Sequence, residues 1–334
     1  MKDTTSLGLK LRYIPEKNYE AVWRNGITIR YDLGDVIELP AGYSEFYDVG
    51  IGTKCSAKCP FCYVSANPKG RYFQDICETW KEWMNTFPKD RVINGITITK
   101  KPFQIAIGST SEPTEHPDFC EFLKVVYETG VIPNYTTNGI ILGTPQDPRR
   151  LEILEATEKY CMGVAVSFGN KSIRNYAERA IEALLGIDVY VNIHHIISTK
   201  ESVDEFYAIW KKYSDKIHYH VLLPLVPQGR SIDGIESGVW EYLEDLITKE
   251  DMKNVSFGAK FIKNLETSKI KTFLFPEQSY SKNIILDNHK VMITASSFDL
   301  KPLETLCLNE KEKSKPCNNK VKELDNKKFK PSKI

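Results

Sequence analysis

Three cysteines stand close together in Cys55-Ser56-Ala57-Lys58-Cys59-Pro60-Phe61-Cys62, at the spacing C-x3-C-x2-C. Thiolates on one short loop can converge on one inorganic centre, and soft sulfur suits iron–sulfur clusters or zinc. A structural zinc site closes with four ligands. This loop offers three, and no second C-x2-C or H-x3-H lies nearby to complete a tetrahedron. Three ligands around a four-iron cube leave one iron open for a substrate or cofactor. Three unlinked buried cysteines are the plain alternative, but the set is compact and Pro60 stiffens its loop.

The loop resembles the cluster loop of the radical S-adenosylmethionine (radical SAM) enzymes, whose pattern is C-x3-C-x-aromatic-C, with Phe61 in the aromatic position. The resemblance implies a [4Fe–4S] cluster held by Cys55, Cys59 and Cys62. It implies that S-adenosylmethionine chelates the open iron through its amino and carboxylate groups, with Phe61 and Tyr63 among the residues around the cofactor. One electron, from a donor such as flavodoxin or ferredoxin, would cleave that cofactor to methionine and a 5′-deoxyadenosyl radical. The radical would abstract hydrogen from a substrate, as an oxidoreductase or transferase. The fold implied is a partial (β/α)6 TIM-like barrel.

Companion stretches fall in register with that resemblance. Thr110-Ser111-Glu112-Pro113 is similar to the family's G-G-E-P, which binds the amino group of the cofactor. Both glycines are replaced here; hydroxyls can still receive an ammonium, and Glu112 keeps its place to offset the charge. An ordinary loop with Ser111 as a helix cap is the alternative. Thr136-Thr137-Asn138-Gly139 is similar to the family's T-T-N-G, although Asn-Gly also makes plain turns. Gly108, Ser167 and Asn192 fall where the family places further cofactor contacts. Asn192, on an apolar strand, needs a partner, either the cofactor or a neighbouring strand.

These residues need a frame. Glu45 to Gly52 alternates as a strand and runs into the cysteines. Beyond them, helical spacing marks Phe73 to Phe87, Pro117 to Thr129, Asp147 to Tyr160, Lys171 to Leu185 and Glu201 to Tyr213. Short apolar runs between them predict strands at Gln104 to Gly108, Val131 to Thr137, Met162 to Phe168, Val189 to Ile197 and Ile217 to Leu225. Regular strand–helix alternation argues for a parallel sheet in an α/β fold. Ligands of such sheets sit at the carboxyl ends of the strands, and there the cysteine loop, Glu112, Asn138, Ser167 and Arg230 all fall.

Outside this core (45–230), residues 1–44 predict a small β extension, with Arg24-Asn25-Gly26 as a hairpin turn and Asp32-Leu33-Gly34-Asp35 as a second. A cover for one end of the barrel explains it better than a substrate clamp. Residues 231–310 predict an α+β extension: a helix at Gly238 to Lys249 and a hairpin at Asn283 to Ala295. The lysine-rich tail, 311–334, reads as solvated and partly disordered. His194 and His195 must point to opposite faces of their strand, whereas His218 and His220 share one. All four read as structural, with one of the first pair able to touch substrate. Arg230 is suited to binding a carboxylate or phosphate, though a surface arginine after a glycine is commoner.

The chain has 334 residues, 41% of them hydrophobic, and a net charge of +1. That supports a large core and gives no general attraction to nucleic acid or membranes. No apolar run is long enough to span a bilayer and the first ten residues lack a signal-peptide core, so a cytoplasmic protein is expected. The remaining cysteines, Cys77, Cys120, Cys161, Cys307 and Cys317, are scattered. They argue for a single cluster and stand as hydrogen-donor candidates, with core thiols the plainer reading of each. An open barrel of this kind suits a peptide or another bulky substrate. The rival function is a non-catalytic zinc or iron–sulfur protein in a structural or sensing role.

Overall fold

A computed structural model describes residues 8–14, 19–24, 26–32, 44–231, 234–258 and 281–308. Strand and helix alternate from β4 (Phe46–Gly50) through α1 (Ile76–Met84), β7 (Gln104–Ile107), α2 (Phe119–Glu128), β8 (Ile132–Thr137), α3 (Arg150–Tyr160) and β9 (Gly163–Phe168). The series continues with α4 (Arg174–Leu185), β10 (Tyr190–Ile197), α5 (Lys200–Tyr213), β11 (Tyr219–Pro224), α6 (Val239–Lys249) and β12 (Val255–Phe257). The C-terminal strands are β13 (Ser281–Asp287), β14 (Lys290–Ser296) and β15 (Asp299–Cys307). All ten strands join one sheet in the order β12-β11-β10-β9-β8-β7-β4-β13-β14-β15. It is parallel from β12 to β13 and antiparallel beyond. This is a mixed α/β fold on a largely parallel sheet.

Strand alternation sorts the side chains by face. Tyr47, Val49, Ile105, Ile107, Val164, Val166 and Ile193 are fully buried beneath the helices. Trp80 and Trp83 of α1 anchor that layer, with Trp83 edge-on to Tyr47 at 5.3 Å between ring centroids. The alternate residues Asp48, Asn134, Thr136, Ser167, Asn192 and His194 are half-buried on the helix-free face. That face is polar, so the molecule encloses it for something other than packing.

Two contacts show that the sheet curls around this face. Gln228 Nε2, just after β11, donates to Phe298 O at the β14–β15 turn (3.0 Å). Phe298 also packs its ring against Tyr63 at 4.5 Å between centroids. Seven inter-strand steps separate β11 from β14, which would be about 34 Å in a flat sheet. Four residues beyond Pro224 cannot bridge that span, so the flanks must approach each other across the mouth.

The N-terminal residues form β1 (Leu9–Ile14), β2 (Tyr19–Arg24) and β3 (Ile27–Asp32). They combine with β5 (Arg91–Ile93) and β6 (Ile96–Ile98) in a second sheet, ordered β3-β2-β1-β6-β5. Ala21 and Trp23 pack on Phe103, Ile132 and Met162, at the amino ends of β7, β8 and β9. The sheet therefore covers the end of the main sheet opposite the cysteine loop. The hairpin expected at Arg24-Asn25-Gly26 joins β2 to β3, with Arg24 opposite Ile27. Beyond Asp32, the second expected turn lies outside the described residues, as does the tail after Leu308. The β5–β6 hairpin was not foreseen, although Asn94-Gly95 carries the same signal. Both residues sit at positive φ (50° and 78°), as a type I′ turn requires. No helix among the described residues is long and apolar enough to cross a membrane.

Candidate active site

The cysteine loop leaves the carboxyl end of β4 and is held by backbone bonds. Thr53 N donates to Arg71 O (2.9 Å), Cys55 N to Asn67 O (3.1 Å) and Cys62 N to Cys59 O (3.3 Å). Long-range side chains add to these. Arg230 donates from Nε to Cys59 O (2.9 Å) and from a terminal nitrogen to Ala66 O (2.7 Å), and its own backbone N–H reaches Cys62 O (3.0 Å). Arg230 is therefore a half-buried brace for the loop, a role the sequence did not suggest.

Amide donors reach two of the three sulfurs. Asn170 Nδ2 lies 3.3 Å from Cys59 Sγ and 3.1 Å from Ala57 O. Asn138 Nδ2 lies 3.7 Å from Cys55 Sγ. N–H donors favour the thiolate, the form that ligates metals. In the protein alone, burial outweighs them: it pushes the Cys55 thiol up to about 12, with Glu112 adding to the rise, and raises Cys59 as well. A bound cation would reverse that balance. Among the described residues no three His, Cys, Asp or Glu side chains converge tightly enough to hold one ion.

Glu112 is the hub of the site. It is 4% exposed. Its Oε1 accepts from Thr137 Oγ1 (2.7 Å), Thr114 Oγ1 (2.7 Å) and Thr114 N (3.2 Å), and Oε2 accepts from Asn138 N (2.7 Å). Its own backbone N–H donates to Lys54 O (3.1 Å), and Glu115 Oε1 accepts from Ser56 N (3.0 Å). One carboxylate thus ties the loops after β7 and β8, and its neighbours tie both to the cysteine loop. Burial raises its pKa to about 7 against the pull of those donors.

No family model matches the chain, and no curated protein matches it. Solved structures do. The chain is similar to SuiB of Streptococcus suis bound to S-adenosylmethionine, with 14% identity and a TM-score of 0.51 over 76% of this chain and 60% of that one. SuiB bound to the precursor peptide SuiA gives 15% identity and a TM-score of 0.53 over 79% and 61%. The chain shares the fold of these SuiB structures. It spans about 60% of the length of these SuiB chains.

Within this fold the remaining expected residues take distinct places. Gly108 adopts a φ of +127°, and a Cβ there would lie 2.8 Å from Thr136 O. Thr110 is buried and donates to Gly52 O (2.7 Å), while Ser111 is half-buried at the rim. Tyr63 donates to Ser109 O (3.3 Å). Phe61 borders a cavity of about 290 Å³ with Phe168, Ile196 and Leu225. Ser167 lies beside His194 in register on the helix-free face. Asn192 Oδ1 accepts from Tyr219 N (3.1 Å), so a neighbouring strand supplies one partner. His194 faces the same side as Ser167, and burial alone lowers its pKa to about 4. His195 points the other way and meets His220 at 3.0 Å beneath Phe206. His218 packs on Tyr190 at 4.6 Å between ring centroids.

Among the described scattered cysteines, Cys77, Cys120 and Cys161 stay away from this face. Cys77 and Cys161 are buried in the helix layer, with Cys120 packed against it. Cys307 is disulfide-bonded, so it offers no thiol hydrogen. Cys317 lies outside the described residues.

Sequence reasoning placed Gly229 at the end of the sixth strand but missed its close backbone approach, and it missed Asn170 altogether. Gly229 has a φ of +69°, and a Cβ there would lie 2.4 Å from Tyr63 O and 2.5 Å from Cys62 O. Gly229→Ala combines left-handed strain with a backbone clash and is expected to destabilise by about 2 kcal/mol or more. Thermal unfolding checks this, with Gly234→Ala as the control, since nothing lies within 4 Å of its Cβ position. Equal melting temperatures for the two variants would contradict the account.

Proposed function

We propose that this protein is a radical SAM enzyme whose Cys55, Cys59 and Cys62 hold a [4Fe–4S] cluster. The carrying observation is the loop itself. Three thiols stand at the carboxyl end of a parallel strand, the loop is pinned by Arg230, and amides of Asn138 and Asn170 aim at two sulfurs. A cube puts each thiolate on its own iron, so its ligands need not converge as zinc ligands must. When bound, the cluster and S-adenosylmethionine supply reductive cleavage and a 5′-deoxyadenosyl radical that abstracts hydrogen from the substrate.

The chain's own residues supply position and shelter. Asn138 and Asn170 offset thiolate charge. Glu112 is spent on four donors, so it acts on the cofactor's ammonium by holding the Thr110–Ser111 backbone in place and by its buried negative charge. Thr110 is committed to Gly52, which leaves Ser111 and the loop carbonyls as direct partners. Phe61, Tyr63, Gly108, Ser167 and Asn192 complete the proposed pocket. The curled sheet forms a partial (β/α)6 barrel, and its helix-free face receives the substrate. One similar SuiB structure holds a precursor peptide, so peptides are the first substrate class to test, with flavodoxin or ferredoxin as the electron donor.

Anaerobically reconstituted protein, given S-adenosylmethionine and dithionite, is expected to release 5′-deoxyadenosine, read by chromatography. Protein that carries its full iron and yields none would overturn this reading.

A further inference from the structure

The N-terminal sheet turns charged side chains inward and apolar ones outward. On the face toward the main sheet, Lys10 Nζ donates to Phe103 O (3.4 Å), Arg12 donates to Lys100 O (3.1 Å) and Arg30 pairs with Glu45 (2.6 Å). The alternate residues point away from the molecule. Ile29, Val22, Leu11 and Ile98 lie side by side in one row across β3, β2, β1 and β6. Two residues along the strands, Ile27, Leu9, Ile96 and Ile93 make a second row. Ile27, Ile29 and Ile93 are 67%, 53% and 44% exposed, and the others are half-buried. None of the eight joins the three apolar clusters that the described residues form. Single apolar residues on a surface need no explanation, whereas a contiguous apolar face marks an interaction site. A sheet buries such a face against a second layer about 10 Å away.

The charges on this face point to what the second layer is. Among the described strands three of them share it. Arg91 continues the first row at the free edge of β5, where its exposed side chain turns into solvent. Glu20 and Arg24 flank Val22 on β2, two residues to either side. That arrangement is complementary to itself. A two-fold axis over Val22, parallel to the sheet and across its strands, sets Val22 against its own copy. It brings Glu20 of each chain to Arg24 of the other. Each charge lies about 7 Å from the axis, so the roughly 30° between aligned packed sheets offsets the pair by about 4 Å. Side chains of that length take up such an offset. A partner of one charge sign would match only one of the two.

Size fits the same occupant. Strand spacing and rise give the face a footprint of about 400 Å². Two footprints, with the relief of their side chains, come to roughly 1,000 Å², where specific interfaces begin. The contact suits a reversible dimer.

We propose that the outer face of the N-terminal sheet joins two copies of this chain in a two-fold, sheet-on-sheet dimer. The sheet caps the end of the main sheet opposite the cysteine loop, so the dimer leaves both mouths open.

Sedimentation velocity of the full chain, from low to high micromolar concentration, is expected to show monomer passing into dimer. Ile29→Asp is expected to stay monomeric throughout, with unchanged circular dichroism. Glu20→Arg and Arg24→Glu each set like charges together across the axis, and each is expected to weaken dimerisation tenfold or more. Mixed in equal amounts, these two single variants regain both ion pairs and are expected to dimerise with each other as tightly as the wild type. Misfolding of either variant would not produce that recovery. A wild-type chain that stays monomeric at every concentration overturns the proposal. So does a dimer that survives Ile29→Asp, or a mixture that associates no better than its parts.

Discussion

Glu112→Gln is expected to cost about 2–4 kcal/mol of stability and to weaken S-adenosylmethionine binding at least tenfold, with iron content retained. The reason is the direction of the donors. All four point at the carboxylate, three at Oε1 and one at Oε2. An amide can keep an oxygen toward the first three. Its NH2 then confronts the Asn138 N–H at a position where 2.7 Å now separates donor from acceptor. Two buried donors would face each other, and the loops after β7 and β8 would part. Asn138 also donates to Cys55 Sγ, so the damage reaches the cysteine loop without removing a ligand. The pH dependence gives a second signature. Burial raises the Glu112 pKa to about 7, above the value of about 4.3 for an unfolded glutamate. Between those two values the folded protein holds a proton that the unfolded chain lacks. Stability from this group is therefore greatest below pH 4.3 and falls as pH rises toward 7, by at most about 1.4 kcal/mol per unit. The glutamine variant lacks that slope. Denaturant unfolding at several pH values, with calorimetry of cofactor binding, checks both parts. Wild-type stability and affinity in the variant would remove Glu112 from the site.

What the sequence made legible follows from the range of each signal. Alternation and helical spacing are local, so the six strands from β4 to β11 in the parallel core and their helices were readable. The opposite facing of His194 and His195 was readable for the same reason. Thiol spacing is local too, and it marked the loop. The braces were not readable. Asn170 and Arg230 lie 111 and 171 residues from Cys59 in the chain, and no local pattern encodes a contact of that reach. Arg230 looked like a solvated cation because its targets are backbone carbonyls, which every residue possesses. Alternation sorted the two faces of the core strands but could not tell that the helix-free face lies inside; only the curl of the sheet puts it there. β13 was likewise expected outside the core pattern; its register beside β4 closes a gap that strand order in the sequence cannot show.

Replacing Cys55, Cys59 and Cys62 together by Ala is expected to take reconstituted protein from about four irons per chain to none. Broad absorbance at the blue end of the visible spectrum and 5′-deoxyadenosine production should vanish with the iron. The fold should survive, because the loop is held by groups that the substitutions leave alone. Arg230 bonds to the carbonyls of Cys59, Cys62 and Ala66, and the Cys55 backbone N–H bonds to Asn67 O. Unchanged thermal unfolding of the metal-free proteins would separate lost ligation from lost structure. No other cysteine of the described chain is placed to take over. Cys77, Cys120 and Cys161 sit with the helices, across the sheet from the polar face, and Cys307 is tied up in a disulfide. Enzymes that sacrifice a second cluster, or pass electrons through one, need a second set of thiols. The expectation here is one cluster, and after hydrogen abstraction a rearrangement, a new bond or an epimerisation. An iron and sulfide count on the triple variant decides it. Four irons surviving there would mean that the loop is not the cluster site, and that ligands come from cysteines now assigned to the core.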